Sequence, residues 1–338
     1  MFEKIHIHNF RALQDCSIDS FSRINVIVGD NNTAKTTLLE ALFIALSPFN
    51  PAILKNIYDL RKIPLNSMNV GNIFHNFYEK PIRFEFQYAK QAYDFEISLE
   101  SENELQKEYG IIRQNINLNE KIFCYKNLLD PKQKRYFFDY LNGNIFSEHF
   151  QPLQPLGVGC FLPADVVNVF LENLSIIIKN SKEKELVKLL QIIDPNIEDI
   201  ALLPEAPHVK VRNIKEKLDI KLLGKGFERY FNIVTAVLDE NIKCIFIDEI
   251  ENGIYHKRLK ALLQSLFEIS RQKQFQLFIT THSKEVLENI NILLSESQAL
   301  RNEFTLLKFI RNQDQKIKVF VRSVDIVQEM LAEGIEVR

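Results

Sequence analysis

Three short stretches of this 338-residue chain carry side chains able to handle a polyphosphate. The first is "GDNNTAKTT", residues 29–37, which brings Gly29, Lys35, Thr36 and Thr37 together. A phosphate loop needs inward-facing backbone N–H groups, a helix N-terminus behind them and one point positive charge. Lys35 would reach the β- and γ-phosphates, and the Thr36 hydroxyl would bind Mg²⁺. Ala34 stands where glycine is usual, and a Cβ there hinders close approach of a phosphate. Alanine keeps its N–H donor, however. A positive φ at Ala34 would cost about 1 kcal/mol, so weaker or slower nucleotide handling is expected, not its loss.

The second stretch is "CIFIDEIENG", where four apolar residues run into Asp248 and Glu249. An aspartate at the carboxyl end of a central strand can hold Mg²⁺ through its water shell. A glutamate directly after it can act as general base on a water. A strand ending in solvated acids would read the same way in isolation; the loop upstream argues against that. The third stretch is "FITTHS", in which a buried strand ends in Thr280, Thr281, His282 and Ser283, where ligand-gathering loops lie in α/β sheets. His282 could contact a γ-phosphate and sense its loss. A lone histidine at a strand end is more often structural, so this reading depends on the other two.

The elements that position these residues follow from periodicity. "RINVIV" (23–28) is a continuous β-branched apolar run, as for a strand covered on both faces. "TTLLEALFIAL" (36–46) is a helix ended by the prolines of "SPFNP". "FEKIHIHNF" alternates, with Ile5 and Ile7 on one face and His6 and His8 on the other. "PIRFEFQYAK" and "YDFEISLE" alternate as a hairpin, residues 101–150 read as an insertion of mixed structure, and 182–194 reads as a helix closed by Asp194-Pro195. From residue 218 onward regularity returns. A helix in "GKGFERYFNIVTAVLDE", a strand in "KCIFIDE", a helix in "HKRLKALLQSLFEIS" and a strand in "FQLFITTHS" argue for a parallel sheet with helices on its faces. The tail reads as a hairpin turning at Asn312–Gln315, then a helix from Ser323 to Gly334.

"IHIHNFRAL", "INVIVGDNNTAKTTLLEAL", "LLGKGFERYFNIVTAVL", "IFIDEIENGI" and "LFITTHSKEVL" together resemble the SMC/RecF/OLD group of ABC-type P-loop ATPases, within it the stand-alone bacterial AAA family ATPases with OLD-like heads. The resemblance covers residues 1–47 and 180–300. It implies an α/β P-loop NTPase fold: an ABC-type ATPase head with a mostly parallel sheet flanked by helices, an N-terminal β-subdomain and a mixed α/β insertion. Residues 1–100 would be the N-terminal half of the head, 101–180 an insertion or lid, and 181–338 the C-terminal half.

The resemblance also implies ATP and Mg²⁺ as cofactors. Gly29, Asn31, Asn32, Thr33, Ala34, Lys35, Thr36 and Thr37 then form the nucleotide loop, and Arg11 of "NFR" approaches the nucleotide. Thr36 and Asp248 support the metal, Glu249 is the catalytic glutamate, His282 the switch histidine and Lys35 the third catalytic group. In this group ATP is sandwiched between two heads, each completing the other's site through a signature. Here the signature is "LLGKG" (222–226), with Gly224, Lys225 and Gly226 at a helix start. The sequence departs from the group's pattern at several positions. Leu222 and Leu223 replace the signature serine, Lys225 stands where a small or acidic residue is usual, and Asn32 and Ala34 replace loop glycines. Gln87 in "FEFQYAK" is the nearest candidate for a glutamine loop. The implied protein is an ATP-hydrolysing switch acting as a homodimer, in DNA maintenance or anti-phage defence; the alternative is a nucleotide-dependent binding module with little or no turnover that regulates a partner such as a nuclease. DNA contact and a nuclease or other effector partner come from resemblance alone. After residue 300 we expect only a hairpin and a helix, with no appended catalytic domain.

Bulk properties agree with a globular protein. Hydrophobic residues make up 46% and charged residues 25%, and a formal net charge of -2 supplies no global attraction to nucleic acid or anionic membrane. Cys16, Cys124, Cys160 and Cys244 lack metal-type spacing and read as isolated buried thiols in a reducing compartment. The N-terminus carries charges throughout and no stretch is apolar enough for a membrane span, so a cytoplasmic protein is expected. His6 and His8 could form a two-ligand metal edge, but a solvated strand face is the expected reading. His149 and His208 have no spacing argument, and the phenylalanines read as core.

Overall fold

A computed structural model of the chain describes residues 1–48, 50, 52–77, 80–101, 121–129, 135–140, 144–147, 155–165, 171–204 and 206–332. Two sheets dominate it. The first is antiparallel, in the order β2-β1-β4-β5-β6-β7-β8. Its strands are β1 (Phe2–Phe10), β2 (Leu13–Ile18), β4 (Ile82–Tyr88), β5 (Gln91–Ser101), β6 (Lys121–Asn127), β7 (Arg135–Asp139) and β8 (Asn144–Ser147). The second has the order β16-β15-β3-β14-β13-β9. It contains β3 (Ile24–Gly29), β9 (Val158–Leu162), β13 (Ile242–Ile247), β14 (Gln276–Thr280), β15 (Phe304–Arg311) and β16 (Ile317–Arg322). Pairings from β15 through β9 are parallel, and β16 closes the edge antiparallel.

Helix α1 (Lys35–Leu46) lies between the two sheets, with every residue except Thr36 buried. This arrangement explains why the central strands are mostly apolar on both faces. Ile27, Phe246 and Phe278 face α1 and the antiparallel sheet, while Val26, Val28, Ile245, Ile247 and Ile279 face the other way into a second core. That second core is covered by α3 (Leu171–Lys179), α4 (Glu183–Leu190), α5 (Lys225–Leu238), α6 (His256–Lys273), α7 (Lys284–Glu296), the short α8 (Gln298–Arg301) and α9 (Val324–Ala332). Helix α2 (Ala52–Leu60) continues the α1 side. Phenylalanines fill the space between the sheets, with Phe278 against Phe2, Phe21 and Phe246 at ring-centroid distances of 6.2, 5.4 and 5.3 Å. Buried Gln276 ties the sheets directly. It accepts from the Phe2 N–H at 2.7 Å and donates to the carbonyls of Phe2 (2.9 Å) and Ser22 (2.8 Å).

The structure differs from the sequence reading in several places. Strands β6–β8 lie within 101–180, yet they extend the sheet begun by β1 and β4, and β9 in the same span forms the edge of the parallel sheet. Pairing therefore runs across the expected division at residue 100. A three-stranded sheet of β10 (Ile197–Leu202), β11 (Pro207–Val211) and β12 (Leu218–Asp219) occupies a stretch in which no strand was expected. All four cysteines are buried and free, and burial pushes the Cys16, Cys160 and Cys244 thiols up to about 12. No helix among the described residues is long and apolar enough to cross a membrane. His149 and the expected helix stop at Gly334 lie outside the described residues.

Candidate active site

Parallel register brings the ends of β3, β14 and β13 to one edge: Thr280 pairs with Ile27, and Ile247 with Ile279. The residues that follow these strands meet there. Gly29 ends β3 at φ +148°, and a Cβ on it would lie 2.3 Å from the Phe309 carbonyl oxygen and 2.9 Å from Thr33 Oγ1. Only glycine fits this turn. The loop then visits the left-handed region at Asn32 (φ 63°) and Ala34 (φ 69°, ψ 22°). Ala34 therefore carries the positive φ considered from sequence, at about 1 kcal/mol. Thr33 Oγ1 donates to the Asp30 carbonyl at 2.7 Å, and Arg311 from β15 donates to the Asn32 carbonyl at 2.6 Å. Asn31 is exposed and Thr37 is buried.

Lys35 is folded across its own loop, donating to the carbonyls of Gly29 (2.7 Å) and Asp30 (2.8 Å). Burial lowers its pKa, while the acids Asp248, Glu249, Asp30 and Glu251 oppose that shift. The adjacent Thr36 hydroxyl lies 3.0 and 2.9 Å from the two oxygens of Asp248. Asp248 also accepts from Thr280 Oγ1 at 2.6 Å. Burial holds the Asp248 carboxyl above its ordinary range in spite of these two hydroxyls.

Glu249 has φ 49°, a left-handed conformation that a non-glycine residue adopts only when its surroundings impose it. The surroundings are identifiable. Its N–H donates to Thr280 Oγ1 at 2.8 Å, and its side chain accepts from Asn252 Nδ2 at 2.7 Å. Arg229, buried on α5, donates to the carbonyls of Asp248 (2.5 Å) and Glu249 (2.8 Å), and also to those of Pro163 and Ala164. Burial lowers the Arg229 pKa, with Asp248, Glu251 and Glu249 opposing. His282 Nδ1 is 3.2 Å from Glu251 Oε1 and 3.8 Å from Glu249 Oε1. Glu251 also accepts from the His282 N–H (3.0 Å) and from Thr281 Oγ1 (2.8 Å).

Lys35, Thr36, Asp248, Glu249 and His282 thus converge. The residues 224–226 do not join the loop through any hydrogen bond among the described residues. Gly224 (φ 88°) precedes α5, and Gly226 packs on the acid turn, where a Cβ would come 2.2 Å from the Gly253 carbonyl oxygen. Lys225 opens α5 and Leu222 is 73% exposed. Arg11 is turned toward α1, 2.5 Å from buried Glu40, and its Nε has no hydrogen-bond partner among the described residues. Glu40 also holds Arg61, at 2.5 and 3.1 Å. Gln87, the candidate for a glutamine loop, is the penultimate residue of β4 in the antiparallel sheet, paired with Lys4 and Ala92.

Sequence reasoning missed Arg229, Glu251, Glu40, Arg61 and Arg311. For Arg229 a signal existed, since it lies three residues after Gly226 and so shares its helix face. Glu251 carried no signal in the sequence; only the fold shows it against His282.

A lysine-bearing glycine loop, a hydroxyl on a strand-end aspartate and a following glutamate on a mostly parallel sheet define an ABC-type P-loop ATPase head. The fold agrees with solved structures of two SMC heads. One is an SmcHead bound to the C-winged helix domain of ScpA (TM-score 0.54, 12% identity, 97% of this chain and 99% of that chain). The other is an Smc head domain with an extended coiled coil bound to the C-terminal domain of ScpA derived from Pyrococcus furiosus (TM-score 0.54, 11% identity, 98% and 99%). At these identities the likeness concerns fold alone. Residues 24–288 match the family described as "AAA domain, putative AbiEii toxin, Type IV TA system", and the chain belongs to that family. It is also 30% identical, over an alignment of 355 residues covering 94% of each chain, to the "ATP/GTP phosphatase" of Helicobacter pylori (strain ATCC 700392 / 26695).

Proposed function

We propose that the protein hydrolyses ATP to ADP and phosphate and uses the nucleotide to close two heads against each other. The observation that carries this reading is the Thr36 hydroxyl resting on both oxygens of Asp248 across 212 residues of chain. These oxygen donors suit a hard divalent cation. Mg²⁺ held at Thr36 and Asp248 would neutralise charge on the β- and γ-phosphates. Lys35 exchanges its two carbonyl partners for phosphate oxygens. Glu249 takes a proton from water as the water oxygen bonds to the γ-phosphorus and the bond to the ADP oxygen breaks. His282, steadied by Glu251, reads the γ-phosphate. Gly224, Lys225 and Gly226, at the start of α5, would face the partner's nucleotide, and Arg11 would reach nucleotide only by leaving Glu40. The relative's printed name extends the substrate class to GTP.

Glu249→Gln tests the reading. It should bind ATP, turn over at least about a hundredfold more slowly, and accumulate as dimer by light scattering. Hydrolysis at the wild-type rate would remove Glu249 from its role.

A second reading is a nucleotide-dependent binding module with little turnover that regulates an effector such as a nuclease. The left-handed Ala34 and the leucines at 222 and 223 favour it. Wild type and Glu249→Gln would then behave alike. ScpA on the SMC heads and the toxin system in the family description belong to those proteins; by analogy, we place this switch beside an effector in DNA maintenance or anti-phage defence. Duplex-DNA binding measured against salt, with and without ATP, tests the DNA arm.

A further inference from the structure

We propose that His6, His8 and Glu85, with Asp15 beside His6, form a binding site for a divalent transition cation of the Zn²⁺ type on the outer face of the antiparallel sheet. His6 and His8 alternate with Ile5 and Ile7, whose side chains enter the core beside α1, so both imidazoles stand on the opposite, solvent side. From sequence this face offered two ligands only. Strand register supplies the others: His6 lies opposite Glu85 of β4, and His8 opposite Asp15 of β2.

One ligand atom each from His6, His8 and Glu85 lies within 4.8 Å of the other two. Asp15 Oδ1 is 2.5 Å from His6 Nε2 and 3.7 Å from His8 Nδ1, and His8 Nε2 is 3.1 Å from Glu85 Oε1. The imidazole centroids are 3.9 Å apart. Bonds of about 2.0–2.2 Å to a central tetrahedral ion space the donors by about 3.3–3.6 Å, so the short Asp15–His6 pair must open while the wider pairs close. The side chains have room to rotate, being 37% (His6), 27% (His8), 39% (Glu85) and 73% (Asp15) exposed, while the strands beneath are fixed by the core. Two imidazole nitrogens with carboxylate oxygens select Zn²⁺, Co²⁺ or Ni²⁺ over Mg²⁺.

Two cations stand nearby. Arg83 Nη1 is 3.5 Å from Glu85 Oε1, but its guanidinium is committed to both oxygens of Asp94, at 2.9 and 2.7 Å. The second is Lys316, whose charge favours the ionised Asp15 carboxylate. With neutral imidazoles, the carboxylates of Asp15 and Glu85 therefore leave the cluster suited to a dication. A bound ion would join β2, β1 and β4, and β1 leads straight to Arg11 and its contact with Glu40 on α1.

The test is Zn²⁺ titration by calorimetry on metal-free protein above pH 7, with Co²⁺ visible absorption as a second signal. Wild type should take up one equivalent per chain and gain thermal stability. His8→Gln and Glu85→Gln, both at solvent-facing positions, should each weaken uptake at least about tenfold. They should hydrolyse ATP as wild type does. His282→Gln, which alters the catalytic edge, should leave Zn²⁺ uptake intact. Absence of saturable uptake by wild type overturns the proposal, and so does uptake unchanged in both His8→Gln and Glu85→Gln. Zn²⁺ lost only in His282→Gln would assign the ion to the acid turn instead and equally overturn it.

Discussion

The phosphate loop and the acid turn sit at the same sheet edge, each after a largely buried strand, yet they are held in different ways. The loop is secured mostly by its own atoms, Lys35 on Gly29 and Asp30 and Thr33 on Asp30, with Arg311 and the Thr36–Asp248 contact reaching it from distant chain. The turn at Asp248–Gly253 is secured from elsewhere, by Arg229 on α5, Thr280 on β14, Thr36 on α1 and the close approach of Gly226. Both contain a non-glycine residue at positive φ, Ala34 in one and Glu249 in the other. The difference teaches that local bonds let the loop reorganise when a ligand recruits Lys35, whereas remote bonds keep the acids in place before any ligand arrives.

The largest expected effect comes from removing the remote support. Arg229→Ala strips the carbonyls of Asp248 and Glu249 of their donor and should lower unfolding free energy by about 3 kcal/mol in urea titration, with turnover falling more than nucleotide affinity. A change in affinity alone would mean that the acids hold themselves. Gly226→Ala should cost about 1–3 kcal/mol, because its methyl would meet the Gly253 carbonyl. A neutral result would show that the turn yields as easily as the loop. On the loop side, Ala34→Gly should raise stability by about 1 kcal/mol by relieving the left-handed alanine. A large accompanying gain in turnover would identify alanine as the brake on catalysis.

The smallest effect depends on pH. Asp248 has its folded pKa raised above the ordinary 3.8, so ionising it opposes folding. The penalty is absent below that ordinary value and grows as pH rises through the raised one. Asp248→Asn should therefore melt higher than wild type near neutrality without Mg²⁺, and the difference should vanish in acid. A constant difference across pH would remove burial as the cause.

The same contrast decides what could be read in the sequence. The loop's chemistry lies within nine consecutive residues (29–37), so Gly29, Lys35 and Thr36 were legible, and the apolar runs of β3, β13 and β14 fixed which sheet edge they share. The supports of the turn were not legible, because Arg229 and Glu251 matter only through register and packing that no local pattern encodes. Strands β6–β8 were missed for a related reason: β6 carries the consecutive buried residues Ile122 to Tyr125 and so does not alternate. Strands β10–β12 are short and are bordered by Pro195, Pro204 and Pro207, which read as turns. Arg11 was expected near the nucleotide from its motif, and its ion pair with Glu40 needed the third dimension.

The bare backbone of Gly226 leaves no gap against Gly253, and three residues further on Arg229 grips the same turn. The first two turns of α5 and Glu249, the proposed catalytic carboxylate, therefore form one rigid crank. Tilting the helix by its outer end would swing the carboxylate, and a molecule that grasps α5 gains a handle on the rate of bond breaking without entering the cleft.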